Sequence, residues 1–197
     1  MPLRTGQIAG TTLYQGPNGL TGWTTYEPGS KSWQYANGAL STKSSRWIGR
    51  NVRLSAQSCV EFSFSNPGLP DAFFVGLYSS IPPTKDYYSF GLFRNAVLLD
   101  RVDSEGHGKL LGEIPHRYSY THPDVRVRIL ADKIGQNFWL YFDGMEVGHW
   151  HDPEPCGGID TGITFQTFER KTDTRISGIR ISSWNGEHYP AKFEEPR

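Results

Sequence analysis

The polar segment formed by residues 94–109 contains the side chains whose types best suit ligand binding. Acidic and basic residues alternate there with glycine and apolar residues, across a predicted hairpin and the loop that follows it. Such sets bind sugars, because planar polar side chains satisfy vicinal hydroxyls while an aromatic ring covers the apolar face of the pyranose. Tyrosine and tryptophan residues in predicted strands supply the rings. The predicted carbohydrate-binding residues are Tyr87, Tyr88, Arg94, Asp100, Arg101, Asp103, Trp139 and Tyr141.

Two histidines, His149 and His151, have the spacing of a pair of metal ligands. Residues two apart in a strand project from the same face, so both imidazoles would lie on one side of the strand. Asp152 follows directly, but the sequence assigns no third ligand. The alternative is a pair of surface histidines at the end of a hairpin, with Trp150 between them in the core.

Other catalytic signatures are absent from the sequence. Serine, histidine and aspartate all occur, but without a Gly-x-Ser-x-Gly turn no triad can be assigned. The chain also lacks a glycine-rich phosphate loop and the cysteine and histidine spacing of a zinc site. No catalytic residue is therefore predicted.

Composition indicates that short strands position these side chains. The chain has 197 residues, enough for one domain, with 22 Gly, 13 Pro, 6 Trp, 10 Tyr and 11 Phe, a mixture that favours turns and aromatic strands. Lys and Arg together number 20, as do Asp and Glu, so no basic field exists to hold nucleic acid. No apolar run approaches the roughly 20 residues that span a bilayer. Residues 1–10 contain nothing like a signal peptide.

Alternation of apolar and polar residues locates the strands. Residues 58–65 and 124–129 alternate cleanly, each with one apolar face. Asp143 and Gly144 predict a two-residue hairpin turn, and a second hairpin is expected at Asn95 and Ala96. A break in the alternation near Ser177 and Gly178 predicts a β-bulge. In all, the patterns indicate roughly 10 to 13 strands, which favours two stacked sheets.

Two further features have open interpretations. Cys59 and Cys156 either form a disulfide or remain separate thiols, with Cys59 as a small core residue. In residues 137–142 one face, either that of Phe138 or that of Trp139, must meet the core. The other face then forms a groove or is covered as well.

Four segments give the chain a resemblance to the concanavalin A-like (LamG-like) jelly-roll superfamily, and within it to the 3-keto-disaccharide hydrolase-like domains. Together they extend over more than four fifths of the chain. The segments are Gly22-Trp23 with Trp33-Gln-Tyr-Ala-Asn-Gly-Ala-Leu40, Val60-Glu-Phe-Ser-Phe64, Val125-Arg-Val-Arg-Ile129 with Phe138-Trp-Leu-Tyr-Phe-Asp-Gly-Met-Glu-Val147, and Arg175-Ile-Ser-Gly-Ile-Arg-Ile181. The resemblance implies an all-β, two-sheet antiparallel jelly-roll sandwich at residues 1–184, followed by a polar tail or linker at 185–197. Because these patterns determine a fold, they say little about activity.

The resemblance also frames the questions of catalysis and calcium. Laminarinase-type members carry Glu-x-Asp-x-x-Glu, which places a nucleophile and an acid on one strand face about 5 Å apart. This chain lacks that motif, and its acidic clusters at 100–105 and 152–154 are expected to be solvated loops. Jelly rolls often hold calcium between loops, and Asp71, Asp86 or Asp160 could supply oxygens, although each also suits a turn.

We therefore expect a carbohydrate-binding or glycoconjugate-binding module with a concave, aromatic-bearing face. Its expected partners are a carbohydrate or glycoprotein and other domains of a larger extracytoplasmic protein, without nucleic acid or a membrane span. One alternative is a hydrolase of keto-disaccharide-type sugars. Another is a non-catalytic protein-interaction or structural domain.

Overall fold

The computed structural model describes residues 10–26, 32–43, 46–65, 73–116, 124–156, 162–167 and 174–186. Its regular secondary structure consists of fifteen strands. Their bounds are β1 Thr12–Gly16, β2 Trp23–Thr25, β3 Trp33–Ala36, β4 Ala39–Thr42, β5 Trp47–Arg50, β6 Gln57–Ser65, β7 Phe73–Ser79, β8 Tyr87–Leu92, β9 Ala96–Val102, β10 Gly108–Pro115, β11 Val125–Asp132, β12 Asn137–Phe142, β13 Met145–His151, β14 Gly162–Thr167 and β15 Thr174–Ser183. No helix in these residues is long and apolar enough to cross a membrane.

The strands form two antiparallel sheets, so the predicted all-β, two-sheet jelly-roll sandwich is confirmed. The first sheet has the order β13-β12-β11-β6-β15-β4-β3, with β1 added alongside β15. The second sheet has the order β10-β9-β8-β7-β14-β5-β2. Each sheet combines strands that are distant in sequence, which leaves one inner and one outer face on each.

Aromatic side chains fill the space between the two sheets. Phe62 of the first sheet meets Phe165 of the second edge-to-face, with ring centroids 5.3 Å apart. Phe64 and Phe73 approach to 4.4 Å across the same gap. Aromatic pairs at such separations add to the free energy gained from apolar burial. The alternation predicted for β11 is confirmed, because Ile129 is fully buried while Arg126 is exposed.

Local turn and bulge signals are confirmed at two places. Asp143 and Gly144 both have positive φ, 48° and 85°, as a type I′ hairpin turn between β12 and β13 requires. The register between β15 and β6 shifts between Ser177 and Arg180. Gly178 lies in this bulge with φ of 59°, a backbone region that glycine enters without steric cost.

Other local expectations need correction. The hairpin expected at Asn95 and Ala96 turns earlier, since β8 ends at Leu92 and Ala96 already begins β9. The strand count exceeds the expected range because β2 and β10 are not predicted and the run at 33–40 forms two strands, whereas a weaker run expected at 52–54 is not a strand. β10 contains glycine at positions 108 and 112 and ends at Pro115, residues with poor strand propensity that an edge strand tolerates.

Both cysteines are free thiols buried in different places. Cys59 lies on the outer face of the first sheet, where desolvation raises its pKa to about 12. Cys156 belongs to the core between the sheets. Of the predicted tail at 185–197, residues 187–197 lie outside the described residues.

Candidate functional site

The outer face of the second sheet is lined by a cross-strand row of small residues. Strand register aligns Gly49 with Thr164, Thr164 with Gly76, and Gly76 with Ser89. Ser89 in turn lies opposite Asp100 on β9. Because residues two apart share a strand face, Tyr87 of β8 lies on the same side as Ser89. The row therefore leads across the sheet to the Asp100 carboxylate.

Only part of this outer face is open to solvent. Over β14, Thr164 is 4% exposed, and the Ile81 side chain lies against Gly49. Over β5, Trp47 is buried beneath the ring of Tyr26. On β7 to β10 the side chains are half-buried or exposed. We call this part the open face and define it by Phe74, Tyr87, Ser89, Leu98, Asp100, Leu110 and Glu113.

Asp100 and Tyr87 are the polar centre of the open face. Desolvation raises the pKa of Asp100 above its usual value. Desolvation also raises the pKa of Tyr87, and the nearby charge of Asp100 adds to the effect. Among the described residues, neither side chain has a hydrogen-bond or ion-pair partner. A ligand can therefore donate to the carboxylate and accept from the phenol without displacing a protein contact.

Tyr88 and Arg101 lie away from the open face, in a buried polar network around Asp152. The Tyr88 hydroxyl donates to Oδ2 of Asp152 at 2.7 Å, and Nη1 of Arg101 donates to Oδ1 at 2.9 Å. Arg101 also donates to the backbone carbonyl of Glu154. Although burial opposes its charge, the Asp152 carboxylate raises the pKa of Arg101.

The Asp152 network corrects the expectation of a solvated loop at 152–154. Asp152 is fully buried, whereas the side chain of Glu154 is 75% exposed. The network joins the end of β13 in the first sheet to β8 and β9 in the second. Tyr88, itself fully buried, has its hydroxyl committed to Asp152 and to the backbone N–H of Cys156 at 3.2 Å. Its ring packs in the core and its hydroxyl belongs to this network.

Arg94 and Asp103 lie at opposite ends of β9. Arg94 is exposed in the turn between β8 and β9. Asp103 starts the turn between β9 and β10, where its Oδ1 accepts the backbone N–H groups of Glu105 and His107, each at 2.9 Å. The hydrogen bond from the backbone N–H of His107 contributes most to lowering the pKa of Asp103. A strand of this length separates the two residues by roughly 20 Å, so one sugar residue cannot contact both.

Trp139 and Tyr141 lie on the outer face of the first sheet. Phe138, Leu140 and Phe142 fill the core, so the alternation expected in β12 is confirmed. The Trp139 ring stacks on His149 at 4.9 Å and meets Trp184 edge-on at 5.7 Å, leaving it 9% exposed. The outer face of β12 is therefore covered and does not form an open groove.

The histidine pair has the shared face that the spacing predicts. His149 interacts through Nε2 with Oδ1 of Asn137 at 3.0 Å, in addition to its stack on Trp139. His151 is exposed and lies opposite Asn137 in the register. Within the described ranges, no three His, Cys, Asp or Glu side chains are grouped as a metal site would need. Asp86 is a turn residue with φ of 56°, and Asp71 and Asp160 lie outside the described residues.

Ser89, Glu113 and Phe74 were missed by the sequence analysis. Ser89 follows Tyr87 at the spacing of one strand face, which is the signal that could have found it. Glu113 lies opposite Leu98, and Phe74 lies opposite Gly91. Glu113 and Phe74 belong to the open face because of strand register, which a local sequence pattern does not predict.

Comparisons with known proteins identify the fold. No protein-family model matches the sequence, and no curated protein matches it. The carbohydrate-binding module CBM66 from Bacillus subtilis is similar, with a TM-score of 0.62 and 15% identity over 82% of this chain and 96% of that chain. A Bacillus subtilis protein of unknown function with a galectin-like fold gives a TM-score of 0.64 and 12% identity, over 88% and 96%. A putative glycosyl hydrolase from Parabacteroides distasonis gives 0.59 and 13%, over 88% and 98%.

Proposed function

We propose that the protein is a non-catalytic carbohydrate-binding module whose site is the open face of the second sheet. The observation that carries the proposal is Asp100, a partly desolvated carboxylate without a hydrogen-bond or ion-pair partner among the described residues. Leaving such a group unsatisfied costs free energy in the unbound protein. A ligand rich in hydroxyl donors would recover that cost.

The residues around Asp100 suit a neutral sugar. Asp100 would accept from vicinal hydroxyls, Ser89 would donate or accept, and the Tyr87 ring would cover an apolar pyranose face. Phe74 and Phe93, which meet edge-to-face at 5.6 Å, extend the aromatic surface. The balanced net charge of the chain gives no general preference for an anionic ligand.

The similar structures support this class of ligand without identifying it. One of them is described as a carbohydrate-binding module and another as a putative glycosyl hydrolase. We propose that the domain serves within a larger extracytoplasmic protein and attaches that protein to a glycan or glycoprotein.

Hydrolysis of a keto-disaccharide-type sugar is the second candidate function. Because desolvation raises the pKa of Asp100, this side chain is the candidate for the general acid. Glu113 lies on the adjacent strand, one row away from Asp100, and could act as the second carboxylate. Turnover of a 3-keto-disaccharide that is lost in both Asp100→Asn and Glu113→Gln would establish this activity in place of simple binding.

A glycan array followed by calorimetry tests the binding proposal. We expect the wild-type protein to bind a neutral oligosaccharide and Asp100→Asn to lose at least about tenfold in affinity. Asp124→Asn is the matched control, because Asp124 is exposed at a distance from the open face, and it should bind normally. Absence of binding to every glycan at millimolar concentration would exclude the proposal. Self-association seen by light scattering would then favour a structural role.

A further inference from the structure

We propose a second sugar-binding site on the outer face of the first sheet, on the opposite side of the sandwich from the open face. It is a cavity of about 610 Å³, within the usual range for small-molecule sites. Its lining includes Gly38, Glu61, Gly178 and Arg180. The class of ligand rests on the proposed function, whereas the residues of this cavity are different from those of the open face.

Backbone shape creates the cavity. The bulge at Gly178 interrupts the pairing of β15 with β6, and β1 pairs with β15 from Ile179 onward. A Cβ atom placed on Gly178 or on Gly38 would meet nothing within 4 Å. Both glycines therefore leave backbone walls that a ligand can approach closely.

Charged side chains in register supply the polar groups. Arg180 lies opposite Glu61, which lies opposite Arg128. Both nitrogens by which Arg128 holds Glu61 contact the same atom, Oε1, at 2.8 and 2.9 Å. Within the described part of the chain, Oε2 of Glu61 and the guanidinium of Arg180 have no hydrogen-bond or ion-pair partner. An acceptor held by Arg128 and an exposed cluster of donors thus adjoin the same cavity.

This pairing suits a ligand that both donates and accepts hydrogen bonds. An anion bound to Arg180 alone would leave Oε2 of Glu61 without a donor, and a cation bound to Glu61 alone would be repelled by Arg180. Two vicinal hydroxyls of one sugar residue satisfy both groups, because one accepts from Arg180 while the other donates to Glu61. Since the cavity is open, we expect a dissociation constant on the order of 1 mM.

Two sites on opposite faces would give the module two separate attachment points. One short oligosaccharide cannot reach both faces, so the sites would act as one chelating unit only for a ligand long enough to pass around the domain. The expected consequence is cross-linking of polysaccharide chains.

Solution NMR of the full chain tests the second site. The probes are methyl α-glucoside, methyl β-galactoside and methyl β-fructofuranoside, titrated into isotope-labelled protein. We expect saturable shifts of the Gly38 and Gly178 amides and of the Arg180 side-chain N–H with at least one glycoside. In Arg180→Gln, the affinity derived from the Gly38 and Gly178 shifts should fall about tenfold or more. Arg175→Gln, exposed on the same strand, is the matched control and should leave them unchanged.

Two outcomes would overturn the second site: no saturable shift at Gly38 and Gly178 with any of the three glycosides, or shifts that persist unchanged in Arg180→Gln. The open face reports separately in the same spectra through the amides of Ser89 and Asp100. Shifts there alone would leave the proposed function standing without the second site. Shifts at the cavity that survive in Asp100→Asn would support the second site independently.

Discussion

The Asp100 carboxylate lies where water is partly excluded, and its desolvation affects the stability of the fold. Because its pKa is raised in the folded protein, the protonated form is favoured by folding. Its contribution to the free energy of unfolding is complete below the unfolded pKa of about 4 and is lost as pH rises through the folded pKa. A carboxylate that is partly desolvated and lowers stability at neutral pH is a candidate for ligand binding rather than for packing.

The prediction is that Asp100→Asn leaves stability at pH 7 unchanged or raises it by up to about 0.5 kcal/mol, although sugar binding is lost. The small advantage of the variant should vanish below about pH 4, where the native carboxyl is protonated. Thermal unfolding from pH 3.5 to 7 measures both trends. A clear loss of stability in the variant at pH 7 would assign Asp100 a structural role.

Trp139 provides the opposite case, a large aromatic residue on an outer face that is not available to ligand. Trp139→Ala should destabilise the protein by about 3 kcal/mol, because it empties a cluster shared with Cys59, Leu130, Tyr141 and Trp184. Sugar affinity should stay within about twofold, since the open face is on the other sheet. Tyr35→Ala, which removes an exposed aromatic ring, is the comparison and should cost far less. Loss of affinity without loss of stability would return Trp139 to the binding site.

At the scale of elements, the Asp152 network fastens the end of β13 to the second sheet. Asp152→Ala removes the buried carboxylate from Arg101 and leaves its guanidinium with only the carbonyl and the exposed carboxylate of Glu154, so the free energy of unfolding should fall by about 3 kcal/mol. Tyr88→Phe removes one hydrogen bond and should cost about 1 kcal/mol. Urea denaturation measures each change. Glu154→Gln removes the other ion pair of Arg101, in which the two side chains are 3.5 Å apart, and should have little effect because the Glu154 side chain is 75% exposed.

His116 makes the end of β10 sensitive to pH. Desolvation lowers its pKa, its backbone N–H donates to the carbonyl of Asn95, and its Nε2 lies 3.1 Å from the carbonyl of Phe93. The neutral form is therefore favoured by folding, and its stabilising contribution is lost as pH falls through the folded pKa, below about 6.5.

The protection of the Phe93 and Ala96 amides against hydrogen exchange should therefore fall between pH 7 and 5, after correction for the intrinsic pH dependence of exchange. His116→Asn should remove this extra pH dependence. His107→Asn should keep it, because His107 is 74% exposed. Identical profiles in both variants would exclude His116 as the cause.

Local patterns predicted the elements well but not the site. The Asp143-Gly144 turn, the β15 bulge and the alternation in β11 depend on residues close in sequence, and all three are confirmed. The burial of Asp152 depends on Tyr88, 64 residues away. The open face depends on the register of β7 to β10 and on what Ile81 covers. Such long-range relations carry no local signal.

For the molecule as a whole, the two-sheet architecture divides the predicted binding residues between different surfaces. Asp100 and Tyr87 lie on the open face of the second sheet, whereas Trp139 and Tyr141 lie on the first sheet. Tyr88 and Arg101 belong to the junction between them. Many of the aromatic rings in the described residues fill the core, so an aromatic contact with a ligand depends on those that remain on the outer faces, such as Tyr87 and Phe74.

Binding at the open face is tested most directly by a chemical-shift map of the full chain with the tightest ligand from the glycan array. We expect the largest shifts on β8 and β9, at Tyr87, Ser89 and Asp100, and we expect Asp100→Asn to lose them. Shifts confined to the outer face of the first sheet, around Trp139 and His149, would contradict binding at the open face.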